Sequence, residues 1–251
     1  MTMIRSRTSF LLAALAFVAL PAVAAAQAAP PPPPKHEATA DLAFVGVTGN
    51  TSTNTLSAGA QYIMRTTNWL FKDTFAAIRG SEDGVLTVES VLYAFRAERS
   101  LNTRTSAFGE YGFFHDDFSG VSSRNQVTGG LMFKIATGPA HTFSADGGLG
   151  YLNEQRLAGD NVSSGTYLAG THYVWKMSDN ATLTDEFRVL STFDDSSNWR
   201  VAHSISLTAK LTSILALKVS SLVRHSNFPP PTFEKTDTTT SVALVVSWKR
   251  Q

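Results

Sequence analysis

The sequence predicts an all-β fold, an antiparallel up-and-down transmembrane β-barrel of twelve strands. Three observations lead there. Runs of alternating apolar and polar residues recur along the chain, most of them about ten residues or longer, the length of a tilted strand crossing a bilayer rather than the roughly five or six of a soluble strand. The connections between runs alternate between short and longer or more polar. Aromatic residues gather at the run ends.

Arg5 and Arg7 precede the apolar run Leu11 to Leu20, which is followed by small residues at A-x-A spacing. That is the layout of a secretory signal peptide, with cleavage expected between Ala24 and Ala28. The run is too short to cross a bilayer as a helix, which takes about 20 apolar residues. The two arginines are not adjacent, which argues against a twin-arginine signal. Residues 1–28 are therefore assigned to the signal. Residues 29–36 follow as a proline-rich linker, with Pro30 to Pro34 extended and unpaired. Residues 37–251 are assigned to the barrel.

Within that span the alternating runs fall near 38–48, 55–65, 69–80, 85–100, 105–115, 122–136, 141–153, 166–177, 181–193, 199–211, 215–226 and 236–248. One set of connections is short: RTTN, SLNTR, TGPA, MSDN and LTS. The intervening set is GNTSTN, SEDG, HDDFSG, EQRLAGDNVSSG, DDSSN and NFPPPTFEK. Outer-membrane barrels have short periplasmic turns and longer external loops, and an even strand number puts both termini at the short-turn side.

Sorting the faces tells which solvent each side chain meets. The last run places Val242, Leu244, Val246 and Trp248 on one face. The tenth places Val201, Ile205 and Leu207 opposite Arg200, Ser204, Ser206, Thr208 and Lys210. Charges of both signs on the polar faces would be costly in a dry core unless paired, whereas a hydrated lumen tolerates them. Arg96, Glu98, Glu110, Asp146, Lys176, Glu186, Arg188, Lys210, Lys218 and Arg224 are therefore expected to point inward. Two aromatic girdles are expected at the bilayer interfaces: Tyr62, Trp69, Trp175 and Trp248 at the periplasmic rim, and Tyr151, Tyr167, Phe193 and Trp199 at the other. Asp73 and Asp185 break the pattern by sharing a face with phenylalanines. Register slips or rim positions are expected there.

Chemistry is sparse. A formal charge of +1 offers no basic field for nucleic acid, and the absence of cysteine removes disulfides and a lipidated N-terminal Cys. No spacing suggests a cofactor, zinc or nucleotide. His225 and Ser226 suggest a lipid hydrolase, but adjacent strand residues point to opposite faces. The acidic stretches His115 to Asp117 and Asp194 to Asn198 could attract divalent cations, although such clusters are ordinary turn chemistry. The expected partners are outer-membrane lipid, lipopolysaccharide and the barrel-assembly machinery, with the barrel itself a monomer. Two readings of the lumen stay open: an interior plugged by ion pairs, or a narrow pore for small solutes.

Several short motifs, in their order and spacing, resemble the domain of unknown function 481 family, whose members are described as salt-induced outer membrane proteins. They are GNTSTN (49–54), Trp69 opening a strand, Glu82 to Gly84, Leu101–Asn102, Phe108–Gly109 and Asp116 to Gly120. Further along come Gly150–Tyr151, Trp175 with Ser178–Asp179, Leu215 to Lys218 and SNFPPPTFEKTDT. The resemblance implies a Gram-negative outer-membrane barrel without an established activity. This chain departs from it twice. A glycine expected after the prolines is replaced by Pro231, Thr232 and Phe233, and Lys249, Arg250 and Gln251 follow the last aromatic, where barrels usually end.

Overall fold

The computed structural model describes residues 33–47 and 53–250, so the expected signal peptide, most of the linker and most of GNTSTN lie outside the described residues. Twelve strands occupy the described residues. The first four are β1 (His36–Val47), β2 (Thr53–Arg65), β3 (Trp69–Glu82) and β4 (Val85–Ser100). Next come β5 (Thr105–Asp116), β6 (Val121–Thr137), β7 (His141–Arg156) and β8 (Val162–Lys176). The set ends with β9 (Ala181–Thr192), β10 (Trp199–Lys210), β11 (Leu215–Ser226) and β12 (Thr236–Arg250). Each strand pairs antiparallel with its sequence neighbours, and β1 pairs with β12, closing the barrel. All twelve runs expected from the sequence are present. β1 begins at His36, one residue inside the span assigned to the linker.

Two connections differ from expectation. Asp83 and Gly84 alone join β3 to β4, both with positive φ (48° and 80°), the backbone of a two-residue hairpin turn. The β7–β8 connection shrinks to residues 157–161, because both strands run past the apolar part of their sequence. Glu154 pairs with Val162 in the ladder, and Arg156 N donates to Asn161 Oδ1. The other rim keeps its short turns, such as 66–68 and 138–140.

The register fixes every face. Away from bulges, even-numbered residues of β3 to β11 point inward, as do odd-numbered residues of β1, β2 and β12. The outward face is an apolar belt: Leu207, Leu217, Val242, Leu244, Val246 and Trp248 are all exposed. Exposed apolar area on that scale suits acyl chains and not water. The interior is less wet than charge alone implied. Leu152, Leu168, Leu190 and Phe108 are buried inside it, Leu152 completely, and fill the side formed by β5 and β7–β9. What remains open is a cavity of about 630 Å³ whose wall mixes charged and polar side chains with apolar ones such as Ile63, Leu92, Phe114 and Met132.

Asp73 and Asp185 need no register slip. Both keep their alternation and face outward, four residues from the short-turn end of their strands. Tyr93 donates its hydroxyl to Asp73 Oδ1 at 2.9 Å, and His203 Nε2 lies 2.8 Å from Asp185 Oδ2. A neighbouring outward side chain supplies the partner that lipid cannot.

Candidate functional site

The lumen carries two belts of charge. The first lies in its short-turn half. Arg96 of β4 donates Nε to Glu98 at 2.7 Å, and its Nη1 reaches Asp146 of β7 at 2.7 Å and Glu110 of β5 at 3.2 Å. From β9, four strands round the ring, Arg188 grips Glu110 in a two-pronged pair, at 2.7 and 2.9 Å. Glu110 thus joins side chains from β4 and β9, spanning the interior. A planar guanidinium on a carboxylate at these lengths is the strong form of the interaction. Glu186 stands 3.3 Å from His172, and Lys218 of β11 bonds Asp41 of β1 across β12. The belt therefore brings together Arg96, Glu98, Glu110, Asp146 and Arg188, all expected inward from sequence. Lys176 and Lys210 sit instead exposed at the short-turn rim, where Lys210 Nζ donates to the Asp179 carbonyl.

The second belt, in the long-loop half, was largely missed from sequence. Its centre is Glu154, only 1% exposed. Three guanidiniums converge on that one carboxylate: Arg124 Nε at 2.5 Å, Arg156 Nε at 2.7 Å and Arg200 Nη2 at 3.0 Å. Arg124 and Arg224 lie 5.1 and 5.2 Å from the Phe114 ring, so the ring sits between two cations. The sequence reading assigned Glu154 and Arg156 to an external loop. The available signal was the unbroken inward order of Leu152, Glu154 and Arg156.

The mouth above this belt is roofed. The β11–β12 connection, residues 227–235, reaches the β5–β6 and β7–β8 connections, the first of them half-way round the ring. Gly120 and Gly159 mark its seats. Each has positive φ (77° and 76°), and a Cβ at either would come within 2.7 Å of the roof, at Phe233 or Pro231. Arg156 Nη2 also donates to the Phe228 carbonyl at 3.0 Å. Pro229 and Pro230 line the cavity from above.

The chain matches the family described as "Protein of unknown function, DUF481" over residues 40–248. The chain belongs to the DUF481 family. A relative, the uncharacterized protein YdiY of Escherichia coli strain K12, is 25% identical over 213 residues, covering 83% of this chain and 81% of its own. Among solved structures, the chain is similar to the NanC porin at 9% identity and TM-score 0.48, covering 86% of this chain and 99% of that one. It is also similar to the translocator domain of the autotransporter NalP from Neisseria meningitidis at 14% identity and TM-score 0.46, covering 85% and 86%. The KdgM porin, solved in complex with disordered oligogalacturonate, is similar at 9% identity and TM-score 0.44, covering 85% and 99%.

Both departures of this DUF481 chain from the expected pattern have a structural counterpart. Within the Pro231–Phe233 stretch that replaces the expected glycine, Thr232 takes φ 74°, a left-handed conformation that strains a β-branched residue. Lys249 and Arg250 do not trail away. They extend β12, with Arg250 opposite His36 and Lys249 Nζ 3.4 Å from Glu37.

The remaining candidates are placed as follows. Tyr62, Trp69, Trp175 and Trp248 face outward at the short-turn rim, joined there by His36 and His141, whose Nδ1 atoms each lie 2.8 Å from a tyrosine hydroxyl. At the other rim Tyr167 and Phe193 rings lie 5.6 Å apart, Trp199 packs on His225 at 5.0 Å, and Tyr151 is exposed. Aromatics also occupy the belt between the rims, with Phe75, Tyr93, Phe95 and Tyr111 exposed on β3 to β5. His225 Nδ1 shares a hydrogen bond with Thr236 Oγ1 while Ser226 belongs to the inward face, so the two form no nucleophile–base pair. In the 193–198 connection Asp195 Oδ1 accepts from Ser197 Oγ and N, which holds its carboxyl below the ordinary range. No group of three or more potential metal ligands occurs among the described residues.

Proposed function

We propose that this protein is a non-enzymatic, monomeric barrel of the bacterial outer membrane. In this reading it is exported by its signal peptide, inserted by the barrel-assembly machinery, and embedded among phospholipid and lipopolysaccharide. Its role is structural or related to envelope stress, and its interior is closed at rest. The observation that carries the reading is the Arg188–Glu110 pair, which crosses the lumen between β9 and β5, four strands apart in the ring, at 2.7 and 2.9 Å. The proline roof over the mouth supports it independently. The absence of a His225–Ser226 contact argues against a lipid hydrolase among the described residues.

The test is a planar-bilayer recording of the purified barrel, accompanied by a detergent gel comparing boiled and unboiled samples. A folded barrel that migrates faster unboiled and passes no current fits the proposal. Discrete current steps from the wild-type barrel would overturn closure and favour the second reading, a narrow channel for small solutes. The cavity of about 630 Å³ beneath the roof is what favours that alternative.

A further inference from the structure

The long-loop half of the lumen holds more positive charge than its own carboxylates answer. Arg124, Arg156 and Arg200 share Glu154. Arg224 stands directly opposite Asp237 in the β11–β12 ladder and Asp116 accepts from Ser119 N at the end of β5; among the described residues the one carboxylate within ion-pair distance of Arg200 is Glu154. Arg200 spends one nitrogen, Nη2, on both oxygens of Glu154. Its Nε and Nη1 are buried and find no acceptor among the described residues. Thr166 Oγ1, on the inward face of β8 two strands from Arg200, is likewise buried and without a partner.

A buried guanidinium edge lacking an acceptor is costly, and costlier where like charges crowd it. The group that resolves the imbalance is an anion with several oxygens, because a planar Nε–Nη edge matches two oxygens of a carboxylate or phosphate. A hydroxyl such as Thr166 can donate to a third. We propose that this corner, formed by Arg200 and Arg124 on the cavity wall beneath the proline roof with Thr166 two strands away on β8, binds a small oxyanion of the phosphate or carboxylate class. The site is inside the barrel, so its occupant is a free anion or the acidic end of a soluble molecule, and it requires no current through the lumen.

The probes are inorganic phosphate and acetate, titrated calorimetrically into detergent-solubilised, folded barrel at constant ionic strength set with chloride. Saturable binding of at least one probe is expected. Arg200→Gln should weaken it at least tenfold and Thr166→Val several-fold. Lys210→Gln, at the opposite rim, should leave it unchanged. The boiled-versus-unboiled gel shift verifies that each variant is folded; if Arg200→Gln fails that test, Thr166→Val decides. Absence of saturable binding to wild type, full binding by folded Thr166→Val, or an equal loss in Lys210→Gln would each overturn the site. The last result would reduce the effect to diffuse attraction of anions.

Discussion

The two charge belts of the lumen use the same chemistry in different proportions. In the short-turn half, Arg96 meets three carboxylates and Glu110 meets two guanidiniums, so acids and bases share one another. In the long-loop half, three guanidiniums share a single carboxylate that is 1% exposed. The first arrangement cross-braces the barrel. The second concentrates its stability in one side chain and leaves donors over. The distribution of partners, and not the number of charges, separates a brace from a receptor.

The largest effect is expected at Glu154. Glu154→Gln removes the one carboxylate that, among the described residues, three largely covered cations share, which should cost about 3–5 kcal/mol. Urea unfolding followed by tryptophan fluorescence measures it, and a loss below about 1 kcal/mol would erase the distinction between the belts. Pairing it with Arg124→Gln should cost less than the sum of the two single changes. Glu110→Gln comes next. Arg96 keeps Glu98 and Asp146, and Arg188 is 40% exposed, so about 1–2 kcal/mol is expected. The more telling readout is conductance, which should rise when the Arg188 brace is released.

Smaller effects belong to the roof. Gly120→Ala adds a methyl against Phe233 at a positive φ and should cost about 1–2 kcal/mol while exposing the roof to protease. Thr232→Gly relieves a left-handed β-branched residue and should stabilise by roughly 1 kcal/mol. The smallest effect is at Asp195. Its carboxyl is held below its ordinary range by the Ser197 hydroxyl and then the Ser197 amide, so the order this lends the connection is full above the ordinary carboxylate range. That order is lost as pH falls through the depressed value. Protection across 193–198, read from hydrogen exchange relative to the intrinsic rate at each pH, should therefore fall in acid, and Ser197→Ala should shift the onset of that change upward.

The strands were legible because a two-residue period, repeated twelve times between turn residues, leaves little freedom in choosing faces. The lumen residues of the first belt followed from that parity. Their partners did not, since Arg188 and Glu110 are 78 residues apart and meet only because the closed wall sets their distance. Glu154 escaped notice for a different reason. Outward residues beside it, Asn153 and Gln155, are polar because the β7–β8 hairpin projects past the apolar belt, so the alternation that marks a strand fades there. Asp73 and Asp185 posed a different problem. Carboxylates on an apolar face suggested either a register slip or a rim position; the register holds, both lie four residues from the short-turn end, and Tyr93 and His203 answer them from adjacent strands.

The closing ladder between β1 and β12 is registered only from His36 to Leu42 against Leu244 to Arg250, shorter than any other in the ring. It is also the one joint whose halves come from opposite ends of the polypeptide. Until β12 arrives, every earlier strand belongs to an open sheet with two unsatisfied edges, and no stretch of the wall can be completed piecemeal. Lys249 and Arg250 lengthen that joint like extra teeth on a zip, so removing them should slow ring closure well before it weakens the finished wall.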